Sequence, residues 1–165
     1  MKLAVGDRVV YASHGIGRVV ARKKAPKGGQ DTVVLEFSQD LSVTLPLERA
    51  LENLRPLADE SKLNSIRKTL RSKEEAGDVV WQKRLKQTQA KVAGGQPLDL
   101  AEVVRDAVQR ERGTTSRGEA IKLSLSERNL YLKARQLLAE EIGLARGIDS
   151  AEADEWIAQQ LERTK

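Results

Sequence analysis

The apolar pattern of this chain changes its period once, near Pro56, and that change sets its organisation. Before it lie short Val- and Thr-rich runs: Arg8-Val9-Val10-Tyr11, Gly17-Arg18-Val19-Val20-Ala21, Thr32-Val33-Val34-Leu35-Glu36-Phe37 and Ser42-Val43-Thr44-Leu45-Pro46-Leu47. β-Branched residues suit a pleated, half-buried surface. The breaks at Ser13-His14-Gly15, Pro26-Lys27-Gly28-Gly29 and Ser38-Gln39-Asp40 carry turn chemistry. Residues 1–57 are therefore expected to form a small antiparallel β-barrel of the Tudor or SH3-like kind. After Pro56 the period becomes helical, so the fold class is α+β, with a five-helix domain expected over residues 58–165.

The helices can be placed by their caps and stripes. Leu63, Ile66 and Leu70 mark a first helix. Asp78 caps a second that runs to Gly94-Gly95, and Asp99-Leu100-Ala101-Glu102 reads as a capping box opening a third, with Val103, Val104, Ala107 and Val108 inward. Ser124-Leu125-Ser126-Glu127 caps a fourth whose stripe is Leu130, Ala134, Leu137, Leu138, Ile142 and Ala145, ending at Gly147. Asp149-Ser150-Ala151-Glu152 starts a fifth, with Trp156, Ile157 and Leu161 on its core face. Residues Gly113 to Gly118 are expected to form a flexible loop.

Several classes of function drop out on composition. Without cysteine there is no disulfide scaffold, thiol nucleophile or Cys-based metal site, and a single histidine, His14, excludes polyhistidine metal centres. No cofactor is expected. Gly15-Ile16-Gly17 lacks the third glycine and the helix of a dinucleotide site and is expected to be a tight turn, with His14 a turn histidine bonded to backbone. Glu74-Glu75 and Glu140-Glu141 are neighbours, so on a helix each pair diverges by about 100° and is expected at the surface rather than sharing a substrate. No constellation supports an enzyme. The start, Met1 to Arg8, has no signal-peptide character and no later run reaches bilayer length, which predicts a cytoplasmic chain with no membrane partner.

The charge of +5 is unevenly spread: residues 58–96 carry nine basic and five acidic side chains. The stretch from Trp81 to Lys91 holds Lys83, Arg84, Lys86 and Lys91 with no acid, unlike the usual solvated face that interleaves both signs. Polyanion contact is the reading it favours. Trp81 admits two roles. Framed by cations, its flat apolar ring suits stacking or wedging against nucleic acid. Its spacing to Leu85 and Val92 also makes a helical stripe that would bury it. On the barrel, Arg22-Lys23-Lys24 and Lys27 crowd one hairpin and suit an acidic protein surface, or simply protect a sheet edge.

The opening Val5-Gly6-Asp7-Arg8-Val9-Val10-Tyr11, then His14-Gly15-Ile16-Gly17 and Leu45-Pro46, resembles the RNA-polymerase-interacting domain shared by CarD-type transcription regulators and the transcription-repair coupling factor. Trp81-Gln82-Lys83-Arg84, Ala101-Glu102-Val103-Val104-Arg105-Asp106, Leu125-Ser126-Glu127-Arg128 and Lys133-Ala134-Arg135-Gln136-Leu137-Leu138 resemble, in order, the C-terminal domain of CarD proteins. The resemblance implies a bacterial factor, associated with the nucleoid through polymerase, whose first domain binds the polymerase β subunit. Its helical domain would contact promoter DNA at the upstream fork of the bubble, without sequence reading, and stabilise the open complex.

Position by position, the resemblance implies that Trp81 is the wedge, that Lys83, Arg84 and Lys86 contact the backbone, and that Arg128 adds a further DNA contact. Arg22, Lys23 and Lys24 are the candidates for polymerase docking; Thr44 stands on the strand where an arginine would help. A monomer is expected, with a strand-swapped dimer as the alternative. The rival functions are an RNA-binding or ribosome-associated module and a protein adaptor in which Trp81 is core.

Overall fold

The structure is a computed structural model that describes residues 2–12, 14–38, 40–73, 80–115 and 117–163. It divides into two compact units, Met1–Leu57 and Ala58–Lys165. Asp78, Glu74 and Glu75 lie outside the described residues.

In the first unit, β1 (Arg8–Tyr11), β2 (Gly15–Lys23), β3 (Thr32–Phe37) and β4 (Ser42–Pro46) are followed by a short helix, α1 (Leu47–Asn53), and a fifth strand, β5 (Leu54–Pro56). The strands form one antiparallel sheet in the order β4-β3-β2-β1-β5. The expected barrel is thus an open sheet. Beyond Pro46 the chain coils into α1, which packs on β3, β4 and β5, so a helix rather than a ladder lies between the two edges. Neither α1 nor β5 was legible in the pattern, because the seven residues of the helix bury only Ala50.

The core of this unit is aliphatic: Leu3, Val9, Val19, Val33, Leu35, Ala50 and Leu54, with Phe37. Gly15 and Gly17 are strand residues of β2 rather than a tight turn. Gly17 lies between Val9 and Phe37 in the ladders, and a Cβ there would stand 2.7 Å from the Phe37 ring, so the strand crosses this ring only as glycine. His14 donates its backbone N–H to the Tyr11 carbonyl at 2.9 Å, and its ring stacks on Tyr11 with centroids 4.8 Å apart. Three of the few rings in the chain, Tyr11, His14 and Phe37, thereby gather in one cluster.

The second unit holds α2 (Glu60–Arg71), α3 (Trp81–Gly94), α4 (Pro97–Arg112), α5 (Leu125–Arg146) and α6 (Ser150–Glu162), which with α1 of the first unit make six helices among the described residues. Its core is again aliphatic and is centred on the stripe of α5: Ala134, Leu138 and Ile142 meet Leu63, Ile66 and Leu70 of α2, Leu100, Val103 and Val104 of α4, and Ile157 and Leu161 of α6. The capping box at Ser124 and Glu127 is present, Asp149 caps α6, and α5 ends on Gly147 at φ +70°, a left-handed position that glycine adopts without penalty.

Asp99 does not cap α4. That helix starts two residues earlier, with Gln96 as cap and Pro97 first, because proline's fixed φ favours the first helical position; Asp99 sits in the first turn, where its charge suits the dipole. Ala107 and Val108 are only half-buried. Between α4 and α5 an isolated antiparallel bridge joins Thr114 and Ala120.

Glu141, expected at the surface, is 1% exposed; its carboxylate accepts the backbone N–H of Ala58 at 2.9 Å. Its neighbour Glu140 points about 100° away and accepts from Gln136. Trp156 is half-buried against the core rather than within it. The guanidinium carbons of Arg67 and Arg146 lie 5.7 and 5.2 Å from its ring centroid, a double cation–π contact.

Candidate nucleic-acid interface

The sequence of α3 is made of good helix formers, Gln, Lys, Arg, Leu and Ala, and it stops at Gly95, whose left-handed conformation lets its N–H reach the Lys91 carbonyl. Its start is the anomaly. Val80, in the cap position, offers no side-chain acceptor, the first turn has no acid, and Lys83 and Arg84 stand at its end, facing the positive pole of the helix dipole. A local arrangement that costs stability in isolation marks a place where the sequence serves something besides folding.

Two of the exposed apolar residues, Val80 and Trp81, stand at this start. Trp81 is 44% exposed, so the stripe that would have buried it with Leu85 and Val92 is corrected: Val92 is buried, Leu85 is half-buried, and the ring stands largely outside the core. Lys83 and Lys86 are exposed. Val80 is 66% exposed, and Leu125, the first residue of α5, is 76% exposed. Exposed apolar groups beside cations make this a candidate contact surface.

Arg84 is placed differently from its neighbours. Its Nε and Nη2 donate to Oε1 of Glu127 at 3.0 and 2.8 Å, joining the first turn of α3 to the first turn of α5. The other oxygen of Glu127 accepts the Ser124 backbone N–H at 3.0 Å and the Ser124 hydroxyl at 3.1 Å. Arg110 of α4 brings Nη1 to 4.0 Å from Oε1. Arg128 follows Glu127 and is exposed. Trp81, Lys83, Leu125 and Arg128 therefore belong to the two helix starts that the Arg84–Glu127 pair ties together, with Lys86 in the second turn of α3.

Burial disfavours the ionised form of Glu127, but the Ser124 N–H, the Arg84 guanidinium and the Ser124 hydroxyl outweigh it and hold the carboxyl below its ordinary range. A carboxyl with a lowered folded pKa adds stability that is complete above its unfolded pKa and is lost as pH falls through the folded one. The wild type is thus expected to melt above Glu127→Gln at neutral pH, with the gap closing as pH drops below about 4.5, the ordinary value for this group. Melting curves of both proteins across that range check it; a gap that stays constant would mean the charge contributes nothing.

A cavity of about 110 Å³ lies behind the pair, between α3, α4 and α5, lined by Arg84, Gln87, Thr88, Arg110 and Glu127 among others. Trp81, Lys83 and Lys86 do not line it. Among the described residues no cluster of His, Asp or Glu could hold a metal ion, and no helix is long and apolar enough to cross a membrane.

The polymerase candidates lie in the other unit. Arg22 and Lys23 end β2 and Lys24 follows; all three are exposed, and Arg22 Nη1 donates to the Leu3 carbonyl at 3.0 Å. Thr44 is exposed on β4 opposite Val34. Sequence reasoning missed Glu127 as a partner of Arg84 and missed Leu125 and Val80 as exposed apolar groups. The capping box drew attention to Glu127, but no spacing signal links positions 43 residues apart.

Comparison with known proteins agrees with this layout. The family described as "CarD-like/TRCF RID domain" matches residues 3–58, and that described as "CarD, C-terminal domain" matches residues 65–158. A protein of Bacillus subtilis (strain 168) described as "Putative transcription factor YdeB" is 28% identical over 148 residues, spanning 87% of this chain and 92% of its own length.

Proposed function

The chain belongs to the CarD family, and from that premise we propose that it regulates transcription by binding the β subunit of RNA polymerase and stabilising the open promoter complex. In this reading the first unit, residues 1–57, docks on polymerase, with Arg22, Lys23 and Lys24 as candidate contacts. The second, residues 58–165, meets DNA at the upstream fork of the bubble. The observation that carries the proposal is Trp81, a residue 44% exposed at the head of a helix whose charges are all positive.

The physics is a shifted equilibrium. Opening DNA costs unpairing and unstacking, and a ring that fills the distorted step at the fork binds only the opened form. A preference of about 1–2 kcal/mol multiplies the open population roughly 5- to 30-fold, enough for regulation without chemistry. The cations add affinity without selecting sequence, since phosphates are the same everywhere. Binding polymerase through the first unit raises the local concentration of the second at the fork, so neither contact needs to be tight.

The test is the lifetime of a competitor-challenged open complex of the cognate polymerase with and without this protein. A lifetime extended several-fold supports the proposal, while an unchanged one sinks it. If forked DNA also loses to structured RNA in direct competition, the RNA-binding reading takes its place. The outward cations make a separate prediction. With Lys83, Lys86 and Arg128 each meeting a phosphate, affinity for duplex DNA should fall with salt at a log–log slope near about −2.7, and the Lys83→Ala/Lys86→Ala double variant should reduce it by about 1.8. A slope unmoved by the double variant would remove both lysines from the interface.

A further inference from the structure

The helix that carries Trp81 is weakly anchored. Its one buried residue is Val92, close to its C-terminal end, and its cap position holds no side-chain hydrogen bond. At the other end, where the ring stands, the described contact of highest quality is the two-nitrogen bond from Arg84 to Oε1 of Glu127. Trp81 precedes Arg84 by three residues, close to one helical turn, so whatever fixes the guanidinium fixes the base of the ring. Glu127 is itself immobilised: its second oxygen is held by Ser124 in the capping box, and its side chain is 11% exposed.

We infer that Glu127 is the positioning residue of the DNA-facing surface, acting through Arg84, and that Arg84 is an internal strut rather than a phosphate contact. The inference rests on the DNA-binding reading above and departs from the role that family resemblance implies for Arg84. Three features point the same way. The Arg84 side chain is only 25% exposed while Lys83 and Lys86 beside it are exposed. Both its bonding nitrogens converge on one oxygen, a fork geometry that lysine cannot reproduce. The nearest further cation to that oxygen, Arg110, comes from a third helix, so one carboxylate sits where α3, α4 and α5 meet.

The experiment has two arms in the full chain. In the first, Trp156 is replaced by Phe so that Trp81 is the one indole left of the two in the sequence, and its quenching by acrylamide is measured without DNA. Arg84→Lys keeps the charge and loses the fork; Glu127→Gln keeps an acceptor for the cap and loses the charge. Each is expected to raise the quenching constant of Trp81 by about twofold, and the two together no further, because they break the same bond. Melting curves within a few degrees of the parent establish that the variants are folded.

In the second arm, affinity for forked DNA is measured over a salt series. Arg84→Ala should leave the log–log slope at its wild-type value, while Lys83→Ala lowers it by about 0.9. The inference is overturned if Arg84→Ala lowers the slope as Lys83→Ala does, or if Arg84→Lys leaves the quenching of Trp81 unchanged. If even the wild type ignores forked DNA, the functional reading fails, yet the quenching arm still decides whether Glu127 and Arg84 set the position of the ring.

Discussion

Replacing Trp81 with Ala is expected to return the open promoter complex to the lifetime it has without the protein, while leaving polymerase binding intact. Trp81, the first residue of α3, is 44% exposed and belongs to neither of the two buried clusters. Part of it is covered, so truncation should cost about 1 kcal/mol of stability, a shift of the melting midpoint of a few degrees. The loss of function should be far larger, because a side chain that acts only on opened DNA contributes its whole effect to the difference between two DNA states. The measurement pairs lifetime with melting temperature for wild type and variant. A variant that unfolds several kcal/mol more easily yet still prolongs the complex would assign the ring to packing.

Leu138→Ala should show the reverse. Leu138 is fully buried on α5, within the cluster that α2, α4 and α6 complete, and the core around it is aliphatic. Deleting its branched end removes buried surface and leaves a cavity that stiff neighbours fill poorly, for a cost of about 2–5 kcal/mol. Urea unfolding read through Trp156, which packs on the same cluster, should show a lower midpoint with an unchanged slope. A loss below about 1 kcal/mol would mean that the helices re-close around the gap and that this cluster is not tightly packed.

The helical half was legible because its caps and stripes are local. Ser124 with Glu127, Asp149 and Gly147 each signal a helix end through chemistry confined to three or four residues, and the structure has all of them in place. The stripe of α5 was equally plain, since Ala134, Leu138 and Ile142 recur at fours. Where competing signals were present, the wrong one was chosen: Asp99 looked like a cap, but Pro97 two residues upstream had already fixed the first helical φ.

The first unit was legible as strands and not as a topology. Short runs show where strands are, whereas closure depends on whether β4 meets β5, and α1 between them leaves little trace in a seven-residue segment with one buried alanine. At the candidate interface, the sequence marked Trp81 and its cations. It could not show that Arg84 turns inward, because that depends on a partner from another helix. Glu141 was misjudged for the same reason: nothing local to the Glu140-Glu141 pair shows that one of them meets the backbone of Ala58, 83 positions away.

Glu127 divides its two oxygens between two tasks, one holding Ser124 and one holding Arg84. In evolutionary terms this makes the three positions a single unit of inheritance. A lineage that loses both side-chain oxygens at this position loses an end of α5 and the seat of α3 in the same step, and restoring either alone does not restore the other. Drift at these positions should therefore run through Gln, which keeps an acceptor for the cap, and should reach Arg84 only afterwards. The outward lysines carry no such bond, so lineages can exchange them for arginine freely.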